Sequence, residues 1–129
     1  MYSPKVENVE KEIRATLENY FEAMHSQDMD KFDSVFHPNV TLYSAQGNEL
    51  VLRPYDIYRE QVVKRQSPKD LGNPRADQIL MIDVISESMA LAKVQLQMFG
   101  GIMRDYLNFV KIDGHWWIIA KLYEKVGEY

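Results

Sequence analysis

There is no cysteine among the 129 residues. That excludes disulfides, a thiolate nucleophile and a Cys-ligated metal centre. Lysine and arginine form no stripe and the net charge is −4, so no nucleic-acid partner is expected. No apolar run approaches the roughly 20 residues that span a bilayer. The stretch Met1–Glu7 lacks the apolar centre of a signal peptide, which makes a cytoplasmic location the expectation. The three histidines fall at a helix end (His25), a loop (His37) and a hairpin turn (His115). None has a ligand partner at helical spacing, and no metal site is expected. A Gly-rich phosphate loop and a G-x-S-x-G elbow are also missing, so no cofactor is implied.

What is present is ordinary globular composition with many rings. Hydrophobic residues make up 46% and charged residues 26%, and the length suits one domain over 1–129. Eight Tyr, five Phe and two Trp are a large aromatic share for this length. Rings fill cores, and they also line small-molecule pockets.

Val6, Val9, Ile13, Leu17, Tyr20, Phe21 and Met24 recur in steps of three and four, which predicts a helix over 4–25. Ser3 is its expected cap, with Pro4 in the first turn. Asp28 caps a short second helix carrying Met29, Phe32, Val35 and Phe36, and Pro38 ends it. Val40–Ser44 alternates as a strand does, Gly47-Asn48 is a turn, and Leu50–Leu52 pairs back. Pro54 opens a third helix with Tyr55, Tyr58 and Val62 on one face. After a loop at 66–75 come four strands, over 77–85, 89–99, 102–112 and 115–124. The last two are joined by Asp113-Gly114, a strong hairpin signal. Helices first and strands second predict an α+β fold, with the helices stacked on one face of a curved, mainly antiparallel sheet.

This order resembles the nuclear-transport-factor-2-like (cystatin-like, SnoaL-like) superfamily of cone-shaped folds. The likeness is carried by Tyr20-Phe21-Glu22-Ala23-Met24 running on to Asp28-Met29-Asp30, by Phe36-His37-Pro38-Asn39-Val40, and by Lys111–Ile118. Among subfamilies the chain is most similar to the small bacterial lumazine-binding group, whose closing pattern matches Asp105-Tyr106-Leu107 through Trp116. The resemblance covers about residues 7–125. It implies a cone-shaped pocket and a dimer. The fold hosts isomerases, dehydratases, cyclases and pure binding modules, so it does not fix a reaction.

In ketosteroid isomerase, a member of that superfamily, a carboxylate base faces an oxyanion hole of one Tyr and one protonated Asp. The resemblance puts Tyr20 at the position of the tyrosine, Asn108 at that of the aspartic acid and Ser44 at that of the base. Tyr20 and Asn108 are chemically sensible oxygen-polarising donors. Ser44, with no partnered histidine, cannot take a proton near neutral pH. Asp83, between Ile82 and Val84, is the alternative base if it points into the cone. If it points out it is a surface charge or a partner for Lys93, which is the preferred reading. Asp105 is read as structural, neutralised by Arg104 or Lys121.

The face of Trp116 depends on the last turn. A two-residue Asp113-Gly114 turn puts Trp116 with Phe109 and Leu107; a three-residue bulged turn puts it with Tyr106 and Asn108. The bulged turn is favoured here. It sends Lys111, Trp117 and Lys121 outward, and an exposed Trp117 beside Leu107 and Phe109 would pair two copies through the sheet.

Three readings follow, in order of preference. The first is a pocket for a small hydrophobic or aromatic molecule, lined by Tyr20, Met24, Ser44, Tyr58, Met98, Tyr106, Asn108 and Trp116. The second is an isomerase, dehydratase or cyclase for a hydrophobic carbonyl compound, with Tyr20, Asn108 and Asp83 as its catalytic groups. The third is a dimeric assembly module whose cone is filled by its own side chains.

Overall fold

The computed structural model describes residues 4–129, with side chains from Lys5 onward, so the expected Ser3 cap lies outside the described residues. The helices are α1 (Pro4–Ser26), α2 (Met29–Val35) and α3 (Tyr55–Lys64). The strands are β1 (Phe36–Gln46), β2 (Glu49–Pro54), β3 (Asp77–Val84), β4 (Met89–Met98), β5 (Gly101–Ile112) and β6 (His115–Glu128). They form one sheet in the order β2-β1-β6-β5-β4-β3, antiparallel except for the β1–β6 pair. All three helices lie against this sheet: α1 over β3, β4 and β6, α2 over β1 and β6, and α3 over β1 and β2. That is the α+β arrangement the element order predicts. No helix among the described residues is long and apolar enough to cross a membrane.

Local chemistry fixes the boundaries. Asp28 accepts from the amides of Asp30 (3.0 Å) and Lys31 (3.2 Å), as an N-cap does. Val9, Ile13, Leu17 and Tyr20 form the buried stripe of α1 and meet Phe32 and Phe36 beneath it. Most of the rings are core: Phe32 and Phe36 stack at 5.7 Å, and Phe36 meets Tyr55 at 5.4 Å. Three two-residue turns, Gly47-Asn48, Phe99-Gly100 and Asp113-Gly114, have both central residues at positive φ, the geometry that matches strand twist. Phe99 (φ 52°) is the costly member, because a bulky side chain rarely takes that conformation.

The last hairpin corrects the expected bulged turn. Ile112 pairs with His115 and Lys111 with Trp116, which leaves two residues in the turn. Asp tolerates a left-handed φ and Gly takes one freely, so no third residue is needed. Trp116 therefore shares the helix-facing side with Phe109 and Leu107, while Tyr106 and Asn108 face away.

A bulge does occur, but farther along β6. Phe109 pairs with Ile118 and Asn108 with Ala120, leaving Ile119 extra. The side-chain alternation is thereby reset, and Ile118 and Lys121, three residues apart, both point inward. Strict alternation from Ile118 would have turned Lys121 out.

Candidate functional site

Between the helices and the helix-facing side of the sheet lies a cavity of about 240 Å³. Met24, Leu42, Leu96, Met98 and Met103 give it apolar walls, and Tyr58 and Tyr123 add phenols. Phe99 and Lys125 stand at its exposed mouth, with Arg53 and Arg65 half-buried beside them. Its innermost polar groups are Asp105 and Lys121, which are 2% and 3% exposed.

Asp105 and Lys121 are joined to the core by Tyr20. The Tyr20 hydroxyl donates to Asp105 Oδ2 at 2.6 Å, and Lys121 Nζ stands 3.8 Å from the same oxygen. Burial, reinforced by the Asp105 carboxylate, holds the Tyr20 phenol well above its ordinary pKa, so it remains a neutral donor. Lys121 faces three rings, those of Tyr20 (5.3 Å), Tyr123 (5.6 Å) and Tyr58 (5.8 Å). Among the described residues Tyr58 donates only to Met24 Sδ at 3.6 Å, a weak acceptor.

The residues singled out in the sequence divide between three places. Met24, Tyr58 and Met98 line the cone cavity. Tyr20 lies behind it, its hydroxyl already committed to Asp105 rather than free for a ligand oxygen. Ser44 and Tyr106 border a groove of about 490 Å³ on the opposite, outer face of the sheet. Asn108 lies on that outer face, opposite Leu91 and Ala120, because the two-residue turn reverses the expected orientation. Asp83 is exposed on the same face, opposite Leu91, and makes no ion pair with Lys93. Tyr20, Asn108 and Asp83 therefore do not converge on one point.

Trp116 is buried on the inner side, but far from the cavity. It pairs with Lys111, eight residues along β5 from Met103, on the order of 25 Å at strand rise. There Trp116 Nε1 donates to Glu12 Oε2 at 2.8 Å, closing the other end of the cone. Trp117 faces out between two histidines, with ring centres 5.5 Å from His37 and 4.3 Å from His115. Leu107 and Phe109, expected beside it, are instead buried in the core.

Arg53, Arg65 and Lys121 were not legible as one group. They come from β2, the end of α3 and β6, with no common spacing. The only local sign was Asp105 with Lys121 as its partner, and the bulge that brings Lys121 inward has no signal in the sequence.

A family model described as "Putative lumazine-binding" matches residues 8–124. No curated protein matches the chain. Among solved structures, an NTF2-like protein of unknown function from Silicibacter pomeroyi superposes with a TM-score of 0.78 at 19% identity, over 89% of this chain and 93% of that one. One from Shewanella baltica gives 0.78 at 20% identity, over 95% and 97%. A cystatin-like fold protein from Burkholderia xenovorans gives 0.74 at 12% identity, over 95% of each. At these identities the likeness shows the shared fold alone. The match over 8–124 establishes the family: the chain belongs to the group described as "Putative lumazine-binding", with an NTF2-like, cystatin-like fold.

Proposed function

We propose that this protein binds a small molecule in the cone cavity, with Met24, Tyr58 and Met98 in the wall that touches it. The observation that carries this reading is the cavity itself, about 240 Å³ with mostly apolar walls and an open mouth. A water occupies about 30 Å³ of liquid, so the space corresponds to roughly eight waters, just below the roughly 300 Å³ at which drug-sized ligand pockets begin and enough for a compact ligand. A cone filled by its own side chains would leave no such space. The family description, which names a small heterocycle, points the same way.

Met98→Trp tests the reading by filling the cavity. Small-molecule binding seen calorimetrically with the parent protein should disappear in this variant while its circular dichroism is unchanged. Binding that persists would place the ligand elsewhere.

The outer face of the sheet fits a second copy of the chain. Leu50 (69% exposed), Leu122 (49%), Tyr106 and Val126 border or flank the outer groove, and Met81 adds to the same face. Apolar patches of this kind on a sheet usually mark an interface. The homodimer is therefore part of the proposal, resting on these residues rather than on Leu107 and Phe109.

A further inference from the structure

The cone cavity carries a charge opposite to that of the chain. Arg53, Arg65, Lys121 and Lys125 border it against a single carboxylate, Asp105, although the chain as a whole has a net charge of −4. Lys125 is taken up by Glu128 at 3.0 Å, and Lys121 is partly offset by Asp105. Arg53 and Arg65 pair with no carboxylate among the described residues.

Arg65 is also held in place. Its Nε donates to Gln27 Oε1 at 2.7 Å, and Gln27 Nε2 donates to the carbonyls of Val62 (3.1 Å) and Arg65 (2.9 Å). Its guanidinium lies over the Phe99 ring, with Cζ 5.0 Å from the ring centre. This leaves Nη2 buried, and no acceptor of the described residues reaches it. The buried Tyr123 hydroxyl is in the same condition. Lys121 Nζ, at 3.8 Å from Asp105, has a charge partner but no acceptor within hydrogen-bond distance among the described residues. Arg65, Tyr123 and Lys121, all bordering the cavity, thus carry donors with no hydrogen-bond acceptor among the described residues, and a buried donor left unpaired costs stability.

We propose that the ligand of this cavity is a small organic monocarboxylate. This rests on the reading of the cone as a ligand pocket and adds the ligand's chemical class. The carboxylate is received at the cationic end of the cavity, bordered by Arg53, Arg65 and Lys121, and the apolar body lies against Met24, Leu96 and Met98. Arg53, over the Tyr123 ring at 5.9 Å, adds positive charge near the mouth. Asp105 on the inner wall repels a second negative charge, which favours a monoanion over a phosphate dianion. No Gly-rich loop is present to cradle phosphate oxygens.

The test is calorimetric titration of the whole protein with hydrocinnamate and with hydrocinnamamide, its neutral counterpart. The acid should bind at least about tenfold more tightly than the amide. Arg65→Gln should weaken the acid about tenfold and the amide several-fold less, so that the acid's preference over the amide shrinks. Lys121→Met leaves Asp105 buried without its cation and risks unfolding, so the half-exposed Arg65 carries the test. Equal binding of acid and amide, both lost in Met98→Trp, would overturn the carboxylate inference and leave the pocket reading standing. An acid preference that survives Arg65→Gln would overturn the assignment of these donors. Binding of neither compound would overturn the inference and the pocket reading together.

Discussion

The Tyr20 hydroxyl and Asp105 Oδ2 are 2.6 Å apart although 85 residues separate them in the sequence. The bond ties the C-terminal third of α1 to β5 at the same oxygen of Asp105 that faces Lys121. Tyr20→Phe keeps the ring packing and removes only this donor. It should cost about 1–3 kcal/mol in chemical denaturation, the range for leaving a buried acceptor short of a partner. A loss within a few tenths of a kcal/mol would mean that the carboxylate does not depend on this bond.

Asp105 and Lys121 are a buried pair, and buried pairs add little net stability while each member alone is costly. Asp105→Leu or Lys121→Met alone should destabilise by about 3–5 kcal/mol, and the double variant by clearly less than the sum. Additive losses in urea unfolding would contradict the coupling. Preserved stability in the double variant alongside lost ligand binding would show that the pair is kept for function.

Much of the architecture follows from particular residues. The α1 stripe from Val9 to Met24, the Asp28 cap and the Asp113-Gly114 turn are local signals, and each appears where its pattern puts it. The interior of the cone was less legible because side-chain direction along a strand is set by register. Two features decide it here: the length of the last turn and the extra residue at Ile119. Together they exchange the expected faces of Asn108 and Lys121, so an amide-lined site becomes a cation-lined one. Nothing local distinguishes Ile119 from its neighbours, since a bulge depends on how β5 and β6 fit the helices above them.

Acid sensitivity should arise partly from Glu12 and Asp33. The Trp116 indole bond, helped by Lys111 and opposed by burial, holds Glu12 below its ordinary value of 4.5. The Arg59 bonds, helped by Tyr55 and opposed by burial, hold Asp33 below 3.8. A carboxyl lowered by folding stabilises fully above its unfolded value and loses that contribution as pH falls through its folded value. These two groups therefore contribute steadily from neutral pH down to about 5, and progressively less below about 4.5. Glu12→Gln and Asp33→Asn should each flatten the fall of the unfolding midpoint with acid. An unchanged slope would assign the sensitivity to other carboxylates.

The outer sheet face should govern assembly. Leu122→Lys places a charge in the middle of the proposed interface without touching the cone. Size-exclusion chromatography with light scattering should show a dimer for the parent chain and a folded monomer for the variant. A parent chain that is already monomeric, or a variant that stays dimeric, would remove this face from the account.

The claim that the cone is a ligand pocket is tested most directly by methionine-methyl NMR. Met24, Met98 and Met103 line the cavity, whereas Met81 and Met89 lie exposed on other parts of the sheet. Titration with hydrocinnamate should move the first three resonances and leave Met81 and Met89 where they are. Shifts confined to Met81 and Met89, or no shifts at all, would contradict the account.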